Sequence, residues 1–409
     1  MRPGIEYIIY LVIILYLGAL VGAKIYSPFW FHQPVYHVYE LYPRWWARAP
    51  YIKTHRPPRF GIFCNLPHIR TTTAFESPDI HLLQGHYIDN AHHLCHYTME
   101  ILSSLLCPYA VVVSRYHERI HVAPNYRLSL QTDVAYGCIV SRPVTLYFAK
   151  WPSLPSVHYW DFVCVHEKYR EKNLSRQLIQ THIYNHRRLD PNFSGAYIFK
   201  KEVSVCKGIV PLISTQAYTF LLKSTPIHKL PLNYSIRHFN KTHVDLWRAI
   251  YAEMSTTFAV CVLPDLATSL SWLSNERYCI YATVYTVEKR EYLHGIYILE
   301  DTYVSWDDES LVRSRMVRLA ASMVFGQFHR HDSQHLLFFR GFVHVLREFI
   351  MDKKEFGILE IPNCSHNGWI LERWREKYAL HNETSLAYYG YNFVFPGSPI
   401  HPSSFLCLA

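Results

Sequence analysis

Lys168, Arg170 and Lys172 alternate through the loop Glu167 to Asn173, directly ahead of a stretch in which Leu174, Leu178, Ile179 and Ile183 recur at helical spacing. Before the loop, Trp160 to His166 is apolar and aromatic, as a buried strand is. A strand, a basic loop and a helix in that order turn the unpaired amides and the positive dipole end of the helix toward the cations. Such a corner binds anions, phosphate above all. The stretch lacks the glycines of a Walker or dinucleotide fingerprint, so either a phosphate-bearing cofactor sits at the helix start or the loop is a basic surface.

Metal chemistry is the other possibility that residue types raise. His86, His92, His93, Cys95 and His96 crowd one segment, and His329, His331, Asp332 and His335 crowd another. Their spacing is irregular and carries no binuclear-hydrolase or zinc-finger pattern, and in a chain with 26 histidines such clusters arise without purpose. The expectation is no metal. The 10 cysteines are scattered without a CxxC pair, which suits reduced thiols in the cytosol rather than a disulfide scaffold.

The elements that must position this chemistry belong to a globular chain. Of 409 residues half are hydrophobic, and 32 Tyr, 22 Phe and 10 Trp suit packed α/β layers. A net charge of +9 fits an anionic ligand or an anionic membrane surface; no basic repeat, finger or helix-turn-helix pattern points to nucleic acid. An uninterrupted apolar run, Tyr7 to Ala23, is bounded by Glu6 and Lys24. At about 1.5 Å per residue it reaches roughly 26 Å, enough for a single membrane anchor. Glu6 argues against a cleaved signal peptide. Sequons start at Asn173, Asn192, Asn233, Asn240, Asn363 and Asn382, as in a lumenal protein, but a glycan on Asn173 would block the anion loop. The expected topology is therefore single-pass with the folded part facing the cytosol.

Further elements follow in order. Val134 to Lys150 reads as two strands around Arg142 and Pro143, and Gly195 to Phe199 as another strand. Lys223 to Tyr234 is polar and proline-bearing, a linker. After it, Cys279 to Val287 and Gly295 to Leu299 read as strands, Leu311 to Phe328 and Leu336 to Met351 as helices. FGILEIPN, a short helix near Trp369 to Trp374 and the strand LAYYGYNFVF complete the second unit. The expected organisation is an anchor over residues 1–24, a domain over 25–222, a linker over 223–234 and a second domain over 235–409.

FVCVHEKYREKNLSRQLI resembles the signature of the protein N-myristoyltransferases, in which a strand NFLCVH precedes a basic loop and a helix cradling acyl-CoA. Phe29, Trp30, Gln33, Pro34 and Val35 resemble the FWxxQPV that opens that family's core. Leu82 to Pro108 resembles its peptide-lid segment, with Tyr87 and Tyr97 on the two tyrosines and Asp89 as the remnant of an acidic cluster. FKKE and GIVPL resemble divergent members carried by large DNA viruses. The resemblance implies an α/β chain of two tandem GNAT-like acyltransferase domains that takes myristoyl-CoA, needs no metal and acylates N-terminal glycine peptides as a monomer.

Residue by residue, it implies an oxyanion hole from the backbone amides of Phe162 and Val163. Phe29, Trp30, Cys164, Val165, Arg170, Lys172, Asn173, Leu174 and Ser175 would hold the cofactor, and Tyr87, Asp89, Tyr97, Asp161 and Tyr218 the peptide. The family's base is the carboxylate that ends the chain, here Ala409, carried by the apolar, proline-bearing tail PGSPIHPSSFLCLA. Two departures stand out: Asp161 replaces the family's asparagine, and Ile198 to Lys201, IFKK, replaces its YTAG. Two alternatives stay open, a silent membrane protein that binds acyl-CoA or lipidated peptides and a GNAT enzyme with another amine acceptor.

Overall fold

The computed structural model describes residues 3–56, 60–87, 93–105, 111–117, 134–222, 229–308, 311–325 and 332–408. In its first half the helices are α1 (Pro3–Tyr26), α2 (Pro28–Phe31), α3 (Leu41–Trp45), α4 (Ser77–His86), α5 (Met99–Leu105) and α6 (Leu174–Leu189). The strands there are β1 (Tyr51–Ile52), β2 (Ile69–Thr72), β3 (His93–Cys95), β4 (Val112–His117), β5 (Ala135–Phe148), β6 (Leu154–Val165), β7 (Tyr197–Glu202) and β8 (Ile213–Leu221). The second half adds helices α7 (Val244–Thr257), α8 (Leu266–Ser271), α9 (Asp332–Asp352) and α10 (Asn367–Arg375). Its strands are β9 (Tyr234–His238), β10 (Val260–Leu263), β11 (Tyr278–Val287), β12 (Arg290–Asp308), β13 (Leu311–Val324), β14 (Phe356–Pro362), β15 (Leu380–Tyr391), β16 (Phe393–Val394) and β17 (Phe405–Cys407).

Both halves share one 15-stranded mixed sheet. Its order shows how tightly they interlock: β15 lies between β7 and β8, β14 lies on the far side of β8, and β10 joins β5. The tail strand β17 then pairs in parallel with β10, Phe405 opposite Val260 and Cys407 opposite Val262. Helix α1 stands apart, and its stretch Tyr7–Tyr26 is long and apolar enough to cross a membrane.

Two expected elements come out differently. Of the helix expected over Leu311 to Phe328, Leu311–Val324 is instead the strand β13, hydrogen-bonded to β12 on one side and β14 on the other, and residues 326–328 lie outside the described residues. Arg, Leu, Met and Ala favour helix on their own, but Val317, Leu319, Ala321 and Met323 are buried at every second position, the period of a strand. Val134 to Lys150 is one strand, β5, rather than two. Pro143 is tolerated because its paired residue His158 sends its own N–H away to Ala196 O (3.1 Å), so the missing donor faces the other edge. There, β4 reaches only to its first residue, Val112, opposite Ser141, and β10 only to its last, Leu263, opposite Thr145.

Helix α6 is fixed to the sheet by a buried polar seam as well as by Leu174, Leu178 and Ile183. His182 bonds Ser114 Oγ and Ser141 Oγ, each at 2.9 Å, and His186 shares a 2.9 Å bond with Tyr197 OH. The His158 ring lies 4.4 Å from that of His186. Burial lowers His158 to about 3 and His186 to about 4, and takes His182 well below its ordinary value. Neighbouring imidazoles lower His158 and His182 further, while at the helix end Asp190 raises His186 and Arg187 opposes it.

These groups are neutral in the fold and charge more readily when unfolded, so their stabilisation is whole above about pH 6.5 and drains as pH falls toward 4. His158 and His186 should each remove up to about 2 kcal/mol between pH 6.5 and 5. Urea midpoints at pH 7 and pH 5 should differ accordingly, and His158→Phe should flatten the slope. Equal slopes for both proteins would remove the seam from the account.

Candidate active site

Strand β6 pairs in parallel with β7 only where His158 to Trp160 face Tyr197 to Phe199. Beyond Trp160 they part: β7 continues along β15 to Glu202, and β6 continues along β5. At that fork the β5–β6 register slips, Val140 facing Asp161 and Cys138 facing Cys164, so Phe162 and Val163 share one position opposite Ile139. This is a β-bulge, and Phe162 takes φ +48°, a left-handed backbone rarely adopted by a residue of its shape. The bulge removes the Phe162 amide from the ladder. Asp161 captures it: Oδ1 accepts the Phe162 N–H at 3.0 Å, while Oδ2 accepts from Arg142 Nη2 at 3.1 Å.

Three aromatic rings pack over Phe162. Tyr87 and Tyr97 each lie 5.3 Å from it and Phe75 lies at 6.5 Å. The two lid tyrosines of the sequence therefore meet the bulge. Asp89 lies outside the described residues. Tyr218 does not join them: its hydroxyl donates to Gln216 Oε1 at 2.6 Å and Arg375 covers its ring, in a separate core of the second half.

The segment after α1 also converges on the fork. Trp30 stacks on Phe199 at 5.4 Å, Phe199 in turn stacks on Trp160 at 5.1 Å, and Phe29 is buried against Trp30 and Phe63. Gln33 holds this segment to the sheet by accepting from Tyr391 OH at 2.9 Å.

The basic loop forms as expected, with a short 3-10 turn at Glu167–Tyr169 and α6 starting at Leu174. Asn173 caps the helix in a left-handed conformation, and its side chain accepts from Arg176 at 2.7 Å. Lys168 and Lys172 lie over the Tyr169 ring, at 5.4 and 5.3 Å. Arg170 is engaged inward: Nε donates to Val165 O and Nη2 to His86 O, each at 3.2 Å. It thus ties the end of β6 to the end of α4. Leu174 is buried and Ser175 exposed at the helix start. Gly137 lets α6 sit this close, since a Cβ there would meet Leu178 Cδ1 at 2.8 Å. Cys164 is buried with its thiol toward Leu82 O.

Beside the fork, a cavity of about 50 Å³ is walled by Tyr159, Lys200, Glu300, Arg318, Tyr388 and Leu408, among others. Sequence reasoning missed the ionic network around it. Arg318 bonds Glu360 at 2.9 Å and reaches Glu300 at 3.5 Å, Arg277 also bonds Glu300, and Lys200 bonds Glu202 at 2.7 Å. Burial raises the Glu300 carboxyl, but Arg277 and Arg318 outweigh it and hold it at about 2. Lys200 was visible as a departure from the family pattern; its surroundings come from β12, β13 and β14, far along the chain. Leu408 is buried and its N–H donates to Val262 O at 2.9 Å, so β17 leads the chain to this cavity. Ala409 itself lies outside the described residues.

A larger cavity of about 380 Å³ lies between Gln33, Gln180, Arg187 and Tyr391, and none of the expected cofactor residues lines it. Among the described residues no group of three or more His, Cys, Asp or Glu could hold a metal ion. The histidine clusters disperse to separate partners: His86 packs on His166, His96 bonds Ser305 Oγ, and His335 stacks on Trp369. His92, His329 and His331 lie outside the described residues.

Removing Arg318 alone should strand Glu360, while Arg277 still holds Glu300. Arg318→Leu is expected to cost about 3–5 kcal/mol by urea unfolding, with much of the loss recovered when Glu360 becomes Gln in the same chain. An additive loss in the double variant would show that the pair does not act as a unit.

No protein-family model matches this sequence, and no curated protein matches it either. Solved structures do share its fold. A Saccharomyces cerevisiae N-myristoyltransferase with bound myristoyl-CoA aligns at TM-score 0.66 and 14% identity, over 90% of this chain and 93% of that one. A second structure of the yeast enzyme with myristoyl-CoA gives 0.68 and 12%, over 92% and 90%. A third, with myristoyl-CoA and inhibitors, gives 0.66 and 13%, over 95% and 96%. At these identities the likeness is one of architecture: the chain has the mixed α/β fold seen in N-myristoyltransferases.

Proposed function

We propose that the chain is an acyltransferase that moves a fatty acyl group, myristoyl by likeness of fold, from acyl-CoA to the N-terminal glycine amine of a peptide. The observation that carries this reading is the bulge at Phe162 at the fork of β6 and β7, backed by an ion-paired cavity to which β17 leads. Myristoyl-CoA is the acyl donor, and no metal takes part. Phe29, Trp30, Cys164 and Val165 face its acyl and pantetheine portion. Lys168, Lys172, Asn173 and the amides of Leu174 and Ser175 take the phosphates at the start of α6. Arg170 adds charge while its donors brace the loop.

The amine nitrogen attacks the thioester carbonyl, forming the C–N bond, and the C–S bond then breaks to release the CoA thiolate. Charge gathers on the carbonyl oxygen, where the Phe162 and Val163 amides receive it. The amine must first give up a proton, and the Ala409 carboxylate is assigned that role. Around the cavity to which β17 leads, Lys200, Arg277 and Arg318 balance Glu202, Glu300 and Glu360. One further carboxylate tips the cavity negative and suits it to a primary ammonium group. Tyr87, Tyr97 and Asp161, with Asp89, are assigned to the peptide. Helix α1 anchors the enzyme with its folded part in the cytosol.

A second reading has its own support. Asp161 occupies the Phe162 N–H and Arg170 is committed to carbonyls, as suits a protein that holds acyl-CoA without turnover.

The full chain in micelles, given myristoyl-CoA and glycine-first peptides, should yield acylated product by mass. Extending the chain past Ala409 should cut kcat at least about 100-fold with acyl-CoA affinity intact. Tight acyl-CoA binding without product would favour the second reading, and no binding would dismiss both. Asp161→Asn replaces a charge-assisted hydrogen bond by a neutral one, a difference of about 1.4 kcal/mol. If the thioester oxygen must displace that side chain, kcat should rise about tenfold; an unchanged or lower kcat would place the amide outside the reaction.

A further inference from the structure

The segment following α1 exposes more apolar surface than a water-facing loop usually does. Val38 is 58% exposed, Leu41 50%, Tyr42 61%, Trp45 69% and Trp46 64%. Their opposite side is held rigidly. Tyr36 and His37 are buried, His37 Nε2 bonds Trp30 O at 2.9 Å, and Lys53 Nζ donates to Val35 O at 2.7 Å. Glu40 is paired with both His37 and Lys53. The exposed side chains therefore form a fixed patch.

Helix α1 indicates what covers the patch. Every side chain from Tyr7 to Leu17 is exposed, as is Val21, so the folded part provides no cover for the apolar helix itself. Ser27 N–H donates to Ala23 O and Phe31 N–H to Ser27 O, which carries the helical path of α1 into α2. Tyr39 stacks on His37 at 4.8 Å. The patch thus follows closely on the end of α1. Trp and Tyr are the side chains that settle at a membrane–water interface, and exposed Lys24 and Arg48 flank the patch as snorkelling cations do.

We propose that Val38, Leu41, Tyr42, Trp45 and Trp46 form a second membrane contact, seating the folded part on the same bilayer that α1 crosses. The occupant is the headgroup and upper acyl layer of a lipid surface. This contact is independent of the acyl-transfer reading and rests on α1 as a span. Through the His37 bond to Trp30, it also fixes the height of the Trp30–Phe199–Trp160 stack above the membrane.

The test uses the full chain in vesicles of phosphatidylcholine with and without bromine on the acyl chains. Brominated lipid should quench tryptophan emission in the wild type and clearly less in the conservative variant W45F/W46F, while iodide in the water should quench both equally. Equal bromolipid quenching, or stronger iodide quenching of the wild type, would place the pair in water and overturn the proposal. Disulfide-linked dimers from Trp45→Cys in dilute vesicles would assign the patch to a second copy instead. Release of the chain by alkaline carbonate would remove the span, and the proposal with it.

Discussion

Phe162 holds a backbone conformation that costs an L-residue roughly 1–2 kcal/mol, and the surrounding structure over-determines it. Pairing of β5 and β6 is fixed on both sides of the slip, three aromatic rings pack on the side chain, and Asp161 with Arg142 binds the amide. Relaxing the bulge into a regular strand would shift the alternation of everything after it. Cys164 would leave the core and Val165 would no longer present its carbonyl to Arg170. The basic loop and the start of α6 would lose their bearing.

What was legible in the sequence was local. Trp160 to Ile183 announced its strand, loop and helix because burial and periodicity act within a few turns of chain. The FW segment and the lid tyrosines could be matched by pattern, and the structure brings Trp30 near Trp160 and Tyr87 and Tyr97 onto Phe162. Pairings across a hundred residues left no local trace. Glu300 has as partners Arg277 and Arg318, each on a different segment, and no spacing rule connects them. β13 misled for a related reason: its residues favour helix in isolation, and only two flanking strands make it a strand. The left-handed backbone at Phe162 is equally silent in sequence, since no glycine marks it.

The ionic network shows how a polar site can be kept buried by paired charge. Each carboxylate at the cavity has a guanidinium or ammonium partner, so the cost of taking charges out of water is offset pair by pair. The histidine seam beneath α6 follows the opposite rule, remaining neutral in the fold. One region is therefore built from paired charge and its neighbour from suppressed charge, with the sheet between Trp160 and Tyr159 as their boundary.

The position of β15 has a consequence for synthesis. Until residues near 391 have left the ribosome, β7 and β8 have no strand between them, and until residues near 407 have followed, β10 lacks β17. Vectorial folding therefore cannot complete the first half on its own, and its open edges must be shielded while the second half is made. If α1 is inserted early, that waiting period passes at a membrane surface. The shared sheet closes only when β15 and β17 arrive, so these late strands act as the assembly's timing device.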